Sequence, residues 1–199
     1  ELAIGMMIYQ ARNHFNGSSG TELSGKTLGI HAYGYIGKLV AKIAKGFDMK
    51  VYAFDPFVEK ATIEADGVIA VDSAQELYEK CQYVSLHIPA NEQTKKSINF
   101  ELLSKMPKGA TLCNTARKEV IDEEGLKQMF AQRPDFRYVS DIEAACKAEL
   151  EAEYAGKFYF TPKKAGAQTE EANVNAGLAA ARQIVKFFTT GDKTFMVNS

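Results

Sequence analysis

Little in this sequence supports metal or membrane chemistry. Of its 199 residues only three are cysteine and three histidine. Cys81, Cys113 and Cys146 lie far apart, with no paired metal-ligand spacing. They predict reduced thiols of a cytosolic protein and no metal site. Neither sign of charge is in excess: 24 basic against 25 acidic residues leave a net −1. That gives no electrostatic basis for a nucleic acid or an anionic membrane as partner. No apolar run reaches transmembrane length and no signal-peptide pattern opens the chain. What is left, 46% hydrophobic and 25% charged residues, is an ordinary soluble globular balance of about one domain.

The chain starts inside a helical pattern, Glu1-Leu2-Ala3-Ile4-Gly5-Met6-Met7-Ile8-Tyr9, with neither an initiator methionine nor an N-cap. This predicts a cut end and a longer parent chain. The helix expected from Leu2 to about Phe15 is apolar almost all round at first, so it must be buried, and a second subunit is one place to bury it. Gly17-Ser18-Ser19-Gly20 reads as a flexible link.

A rhythm follows. Apolar or β-branched runs at Thr27–His31, Lys50–Phe54, Val68–Val71, Tyr83–His87, Ala110–Cys113, Tyr138–Asp141 and Phe158–Thr161 alternate with helical stretches at Ile36–Gly46, Ser73–Lys80, Phe100–Lys105 and Asp122–Gln132. Val174, Leu178, Ala181, Ile184, Val185 and Phe188 recur in steps of three and four, predicting a last helix over Thr169–Phe188 that faces a core. Such alternation predicts an α/β fold: a doubly wound parallel sheet of Rossmann type, covered by helices on both faces.

The first strand runs into Ala32-Tyr33-Gly34-Tyr35-Ile36-Gly37, a G-x-G-x-x-G motif with alanine at its first glycine. The second glycine lets backbone approach a pyrophosphate, the third lets helix and strand pack closely, and helix N-terminal amides hold the anion. Alanine at the first position costs about 1–2 kcal/mol if that residue must be left-handed, and little otherwise. Tight-turn glycines without a ligand would look the same. The next strand sharpens the reading, because Val51-Tyr52-Ala53-Phe54-Asp55 ends in an acid 18 residues after Gly37, close to the spacing of a ribose-binding carboxylate. Asp55 would accept from the adenosine 2′-hydroxyl and repel a 2′-phosphate, favouring NAD over NADP. Alternatively it caps the turn at Pro56.

Four segments resemble the cofactor domain of the D-2-hydroxyacid dehydrogenases: Leu28 to Gly37; Val84-Ser85-Leu86-His87-Ile88-Pro89 with Thr94; Asn114-Thr115-Ala116-Arg117; and Thr161-Pro162 through Ala172. The resemblance spans nearly all of residues 1–199. It implies an NAD-binding domain inserted in a split substrate domain that this sequence lacks, and a first helix that joins domains and forms a homodimer. It further implies that the cofactor is met by Tyr33, Gly34, Tyr35, Ile36, Gly37 and Asp55 on one side. On the other it would be met by His87, Pro89, Thr94, Cys113, Asn114, Thr115, Asp141 and Gly166. Asp141 maps onto the acid that holds the nicotinamide carboxamide, or is a strand-end aspartate in a turn. His87 is a cofactor contact or a satisfied core histidine rather than a catalyst. Arg117 maps onto the arginine that fixes the substrate carboxylate, a role its planar fork suits.

The family's acid–base residue is a histidine oriented by a glutamate, and neither is present. Counting forward from Pro162 places Lys163 in the histidine's slot. Counting back from Gly166, Thr169, Glu171 and Ala172 places Lys164 there, and the two counts stay unreconciled. The glutamate's slot, counted from Asp141, holds Cys146. The two losses fit together. A lysine acts as a base only as its neutral amine, and bringing a side chain of that type from about 10.4 to about 7.5 takes roughly 4 kcal/mol. A neighbouring carboxylate would oppose that shift, and a neighbouring cation would assist it.

Lysine for histidine resembles those family members that lack a C-terminal regulatory domain and oxidise 3-phosphoglycerate to 3-phosphohydroxypyruvate in serine biosynthesis. The segment Gly191 to Asn198, which closes the last helix, fits that subset. Two other readings stand beside it: a dehydrogenase of a different D-2-hydroxy acid, and an NAD-binding sensor or scaffold without turnover.

Overall fold

A computed structural model describes residues 1–197. Asn198, the end of the segment read as the close of the chain, lies outside the described residues. The chain divides into two units, one ending at Lys163 and a second starting at Lys164.

The first unit contains seven strands: β1 Thr27–His31, β2 Lys50–Phe54, β3 Ile69–Ala70, β4 Tyr83–Leu86, β5 Thr111–Asn114, β6 Arg137–Ser140 and β7 Phe158–Phe160. They form one sheet in the order β3-β2-β1-β4-β5-β6-β7, with every pairing parallel. β4 and β5 are buried at every position, which is why they read as unbroken apolar runs rather than as alternation. Each face carries its own core. One gathers Leu77, Val84, Leu86, Leu112, Phe130 and Phe136, and the other gathers Met7, Leu28, Ile30, Ala41, Val51 and Val139.

The helices of this unit are α1 Leu2–Ala11, α2 Tyr35–Gly46, α3 Lys60–Ala65, α4 Ala74–Lys80, α5 Phe100–Ser104, α6 Glu123–Gln132 and α7 Lys147–Glu153. Three start on side-chain caps at 3.0–3.3 Å: Ser73 accepts from the Glu76 amide, Asn99 from Leu102 and Asp122 from Gly125. Each cap satisfies an otherwise unpaired first-turn donor. The apolar helix α1 needs no second subunit to bury it, because Ala3, Ile4, Met6, Met7 and Gln10 are covered by β5, β6, β7 and α2 of its own chain. It ends at Ala11 and not near Phe15, since Asn13, His14 and Phe15 adopt φ of +50°, +57° and +55°, a hand that cannot continue the helix.

The second unit is built on α8, Glu170–Thr190, capped by Thr169 through the Ala172 amide at 3.0 Å and ended by left-handed Gly191. The apolar stripe that its spacing predicts finds no core within this unit, where none of the helix's residues is buried. Among its described residues the unit consists of this helix and its flanking segments, with no second layer to cover the stripe.

Candidate functional site

An open parallel sheet presents its ligand crevice at the carboxyl edge, where successive connections leave to opposite sides. In this sheet that point lies between β1, which leads to β2 on one side, and β4, which lies on the other. The His87 amide donates to the His31 carbonyl at 2.9 Å, carrying the pairing from the last residue of β1 to one residue past β4.

Ala32 follows β1 with φ of +80°, so the first motif position is left-handed and carries the cost of a Cβ there. Two bonds fix it. The Ala32 amide donates to the Phe54 carbonyl at 2.9 Å, and the Tyr33 amide to Asp55 Oδ2 at 2.7 Å. Gly34 then begins α2 without a side-chain cap, and a Cβ on it would meet nothing within 4 Å. Approach to the first-turn amides is therefore open. Gly37 is the opposite case: a Cβ would stand 2.4 Å from the Ala32 carbonyl oxygen and 2.9 Å from Ile30 Cγ2. Tyr35 and Ile36 point outward, 94% and 62% exposed, whereas Tyr33 is 1% exposed and its hydroxyl donates to Asp66 Oδ2 at 3.1 Å. An uncapped helix start with its dipole is what an anionic pyrophosphate requires.

Asp55 caps its turn, as one of the two sequence readings has it, and also braces the phosphate loop. Its Oδ1 accepts from the Phe57 amide at 2.9 Å, capping the turn, while Oδ2 braces the phosphate loop. Each carboxylate oxygen has two lone pairs, so ribose hydroxyls can still donate to it, and a 2′-phosphate would meet its charge.

His87 lies just beyond β4, its Nε2 paired with Ser85 Oγ at 3.0 Å. Burial, and then the neighbouring His31, push it down to about 4. His31, against the Tyr78 hydroxyl at 3.3 Å, is brought to about 4 by burial, partly opposed by Asp55. Both imidazoles are thus neutral at physiological pH. Pro89 and Thr94 bracket a loop that the Thr94 hydroxyl closes by donating to the Pro89 carbonyl at 2.6 Å. Asn91 Oδ1 assists, accepting from the amides of Gln93 and Thr94.

At the end of β5 the Asn-Thr-Ala-Arg sequence has a local cause. Asn114 is wholly buried; its Oδ1 accepts from the Ala116 amide at 2.9 Å, and its Nδ2 donates to the Arg117 carbonyl at 3.1 Å and the Tyr138 hydroxyl at 3.4 Å. The side chain staples its own loop and so presents the exposed Arg117, whose Nη1 donates to the Ala116 carbonyl at 2.8 Å. Thr115 is half-buried within that loop. Cys113 points instead into the core beside α1, wholly buried, Sγ to the Ala3 carbonyl at 3.8 Å. Asp141, wholly buried, follows β6, its amide on the Asn114 carbonyl at 3.3 Å. After β7 the buried Thr161 donates through Oγ1 to the Lys163 carbonyl at 2.8 Å, fixing the turn that carries exposed Lys163. Lys164 and Gly166 belong to the second unit.

Along the edge of the first unit, then, the order is Asp55, the phosphate loop, His87, Asn114 to Arg117, Asp141 and Lys163, following strand order from β2 to β7. From β2 to β6 is four inter-strand steps, about 19 Å. Cys146 begins α7. Its thiol is pushed up to about 11, first by burial and then by Glu123, and the Glu123 carboxylate is itself engaged by the Ala145 and Cys146 amides at 2.8 and 3.1 Å. Ser85 and Asp66 were not singled out by sequence. A serine interrupting the apolar run Tyr83-Val84-Ser85-Leu86 was the available signal for the first. Among the described residues no group of His, Cys, Asp or Glu could hold a metal ion, and no helix is long and apolar enough to cross a membrane.

Comparison with known proteins agrees with this geometry. Residues 5–152 match the family described as D-isomer specific 2-hydroxyacid dehydrogenase, NAD binding domain. The 3-phosphoglycerate dehydrogenase of Entamoeba histolytica, solved with NAD+ bound, superposes with a TM-score of 0.89 at 46% identity, over 100% of this chain and 63% of that one. The D-3-phosphoglycerate dehydrogenase of Methanocaldococcus jannaschii is 33% identical over 207 residues, 94% of this chain and 38% of its own length. A hydroxypyruvate reductase of Thermotoga maritima is 38% identical over 63% of this chain and 44% of its own. The chain belongs to the D-isomer-specific 2-hydroxyacid dehydrogenase family and contains its NAD-binding domain. It spans less than two thirds of each of these relatives. The open amides of α2, the glycine-only contact at position 37 and the spare lone pairs of Asp55 fit NAD.

Proposed function

We propose that the parent protein is a D-3-phosphoglycerate dehydrogenase, oxidising 3-phosphoglycerate to 3-phosphohydroxypyruvate with NAD. The observation that carries the catalytic reading is Arg117, held exposed by the Asn114 staple on the same sheet edge as Asp55 and the uncapped start of α2. A guanidinium fork there engages the substrate carboxylate bidentately and sets the 2-hydroxyl. Bound NAD supplies the hydride acceptor. One of Lys163 and Lys164 takes the hydroxyl proton, and Arg117 stabilises the developing carbonyl dipole.

The choice of a phosphorylated substrate is supported by the names of the amoebic and methanogen relatives. Residues 1–199 are read as the NAD-binding part, with the substrate-binding domain supplied by the rest of the parent chain. The fractions of the relatives that this chain covers support that reading. Cytoplasmic location and a homodimer complete the proposal; sedimentation of the parent protein tests the dimer. The substrate is tested by NADH oxidation with 3-phosphohydroxypyruvate, pyruvate and glyoxylate. We expect kcat/KM to favour the phosphorylated acid by at least about 100-fold, the selectivity of a site built to pair a polar group. Equal use of all three would overturn the assignment.

A further inference from the structure

The phosphate loop contains a contradiction: the position that most needs glycine holds alanine. Ala32 sits at φ +80°, and any L side chain there is pushed back toward negative φ. Tyr33 is the next residue, and it is held at both ends. Its amide donates to Asp55 Oδ2 at 2.7 Å, and its phenol reaches through the core to Asp66 Oδ2 at 3.1 Å. The ring is 1% exposed, in the cluster that contains Ile63 and Val68. Asp66 ends α3, and its carbonyl accepts from Lys45 Nζ at the end of α2.

We propose that Tyr33 is a positioning residue for dinucleotide binding, its Asp66-anchored phenol holding the phosphate loop in the turn that Ala32 resists. The inference rests on the assignment of this loop to NAD. Gly34, immediately after Tyr33, starts α2 and sets the direction of the open first-turn amides. If Tyr33 is released, Ala32 relaxes toward ordinary backbone and those amides turn away from the site of the pyrophosphate. The tether matters because of the alanine; with glycine at position 32 the turn is free and the tether becomes redundant. The phenol is suited to the task, since burial and the Asp66 carboxylate both raise its pKa well above the ordinary tyrosine range, keeping it a donor.

The test is a double-mutant cycle on the full chain, with NADH affinity read by fluorescence and amide exchange of residues 33–36 read without ligand. Tyr33→Phe should raise the NADH Kd about fivefold, near the Boltzmann weight of one left-handed residue, and accelerate exchange in the loop by a similar factor. Asp66→Ala, at an exposed position, should reproduce both effects and add nothing to Tyr33→Phe. In the Ala32→Gly background both substitutions should change Kd and exchange less than twofold. Equal losses in both backgrounds would reduce Tyr33 to ordinary core support, and no loss with Ala32 present would remove the tether altogether; either overturns the proposal. Failure of the unsubstituted chain to bind NADH would overturn the dinucleotide assignment, and the exchange measurements would still decide whether Tyr33 restrains the loop.

Discussion

Replacing Ala32 by glycine should stabilise the protein, although exchanging alanine for glycine ordinarily weakens one. At φ +80° the Cβ costs about 1–2 kcal/mol. Glycine adds disorder to the unfolded chain, worth about 0.4–1 kcal/mol. Ala32 is only half-buried, so the methyl it loses is worth about 0.4 kcal/mol. A net gain of about 0.5 kcal/mol remains. The informative comparison is Ala44→Gly, within α2 and wholly buried, where the same exchange costs about 1 kcal/mol of helix propensity and about 0.8 kcal/mol of buried methyl. The two variants should differ by about 2 kcal/mol, or about 4–8 °C in Tm for a chain of this size. Thermal unfolding followed by circular dichroism measures it. If Ala32→Gly lowers Tm as much as Ala44→Gly does, position 32 is not under strain and the loop is not held as described.

Two more predictions concern carboxylates. Asp55→Asn keeps the acceptor for the Tyr33 amide but removes the charge, so it should weaken NADH binding by about tenfold while NADPH binding stays the same or improves, since repulsion of a 2′-phosphate is lost; paired titrations with the two cofactors check this. Asp135 is gripped by the Arg133 fork at 3.0 and 2.8 Å and accepts from the Gly109 amide at 2.6 Å. Arg133 first, then the Gly109 amide, hold its carboxyl well below the usual range. A lowered native pKa stabilises the fold above the unfolded value near 3.9, and this contribution is lost as pH falls through the native one. Asp135→Ala should therefore cost about 2 kcal/mol at pH 7, with the difference from the unsubstituted protein shrinking between pH 5 and pH 2. Urea unfolding at pH 7 and pH 3 measures it, and a pH-independent difference would contradict the linkage.

Much of the architecture was legible because its strands are buried on both faces and its larger helices carry whole turns of apolar periodicity. α3 and α7 were not. Each has six or seven residues and a single buried side chain, Ile63 in one and Leu150 in the other, too little for a period to register. The Gly34–Gly37 pair and Asp55 could be read from spacing. That Asp55 divides its oxygens between a turn and the loop could not, because both partners are backbone amides with no sequence signature. Asn114 is similar. Its place in a motif was visible, but its bonds run to the Arg117 carbonyl and the Ala116 amide, so the side chain acts on the loop that presents Arg117. The stripe on α8 is periodic, as its spacing predicts, and finds no cover within its own unit, since periodicity shows that a face is apolar and not what lies against it.

Under the proposed function a lysine of this protein does the proton transfer for which the family resemblance implies a histidine. The most direct test is kcat and NADH affinity of Lys163→Met and Lys164→Met in the parent protein. One of the two should lose turnover by about 10²–10⁴-fold, with the Kd for NADH unchanged within twofold. Turnover undiminished in both variants would contradict the account.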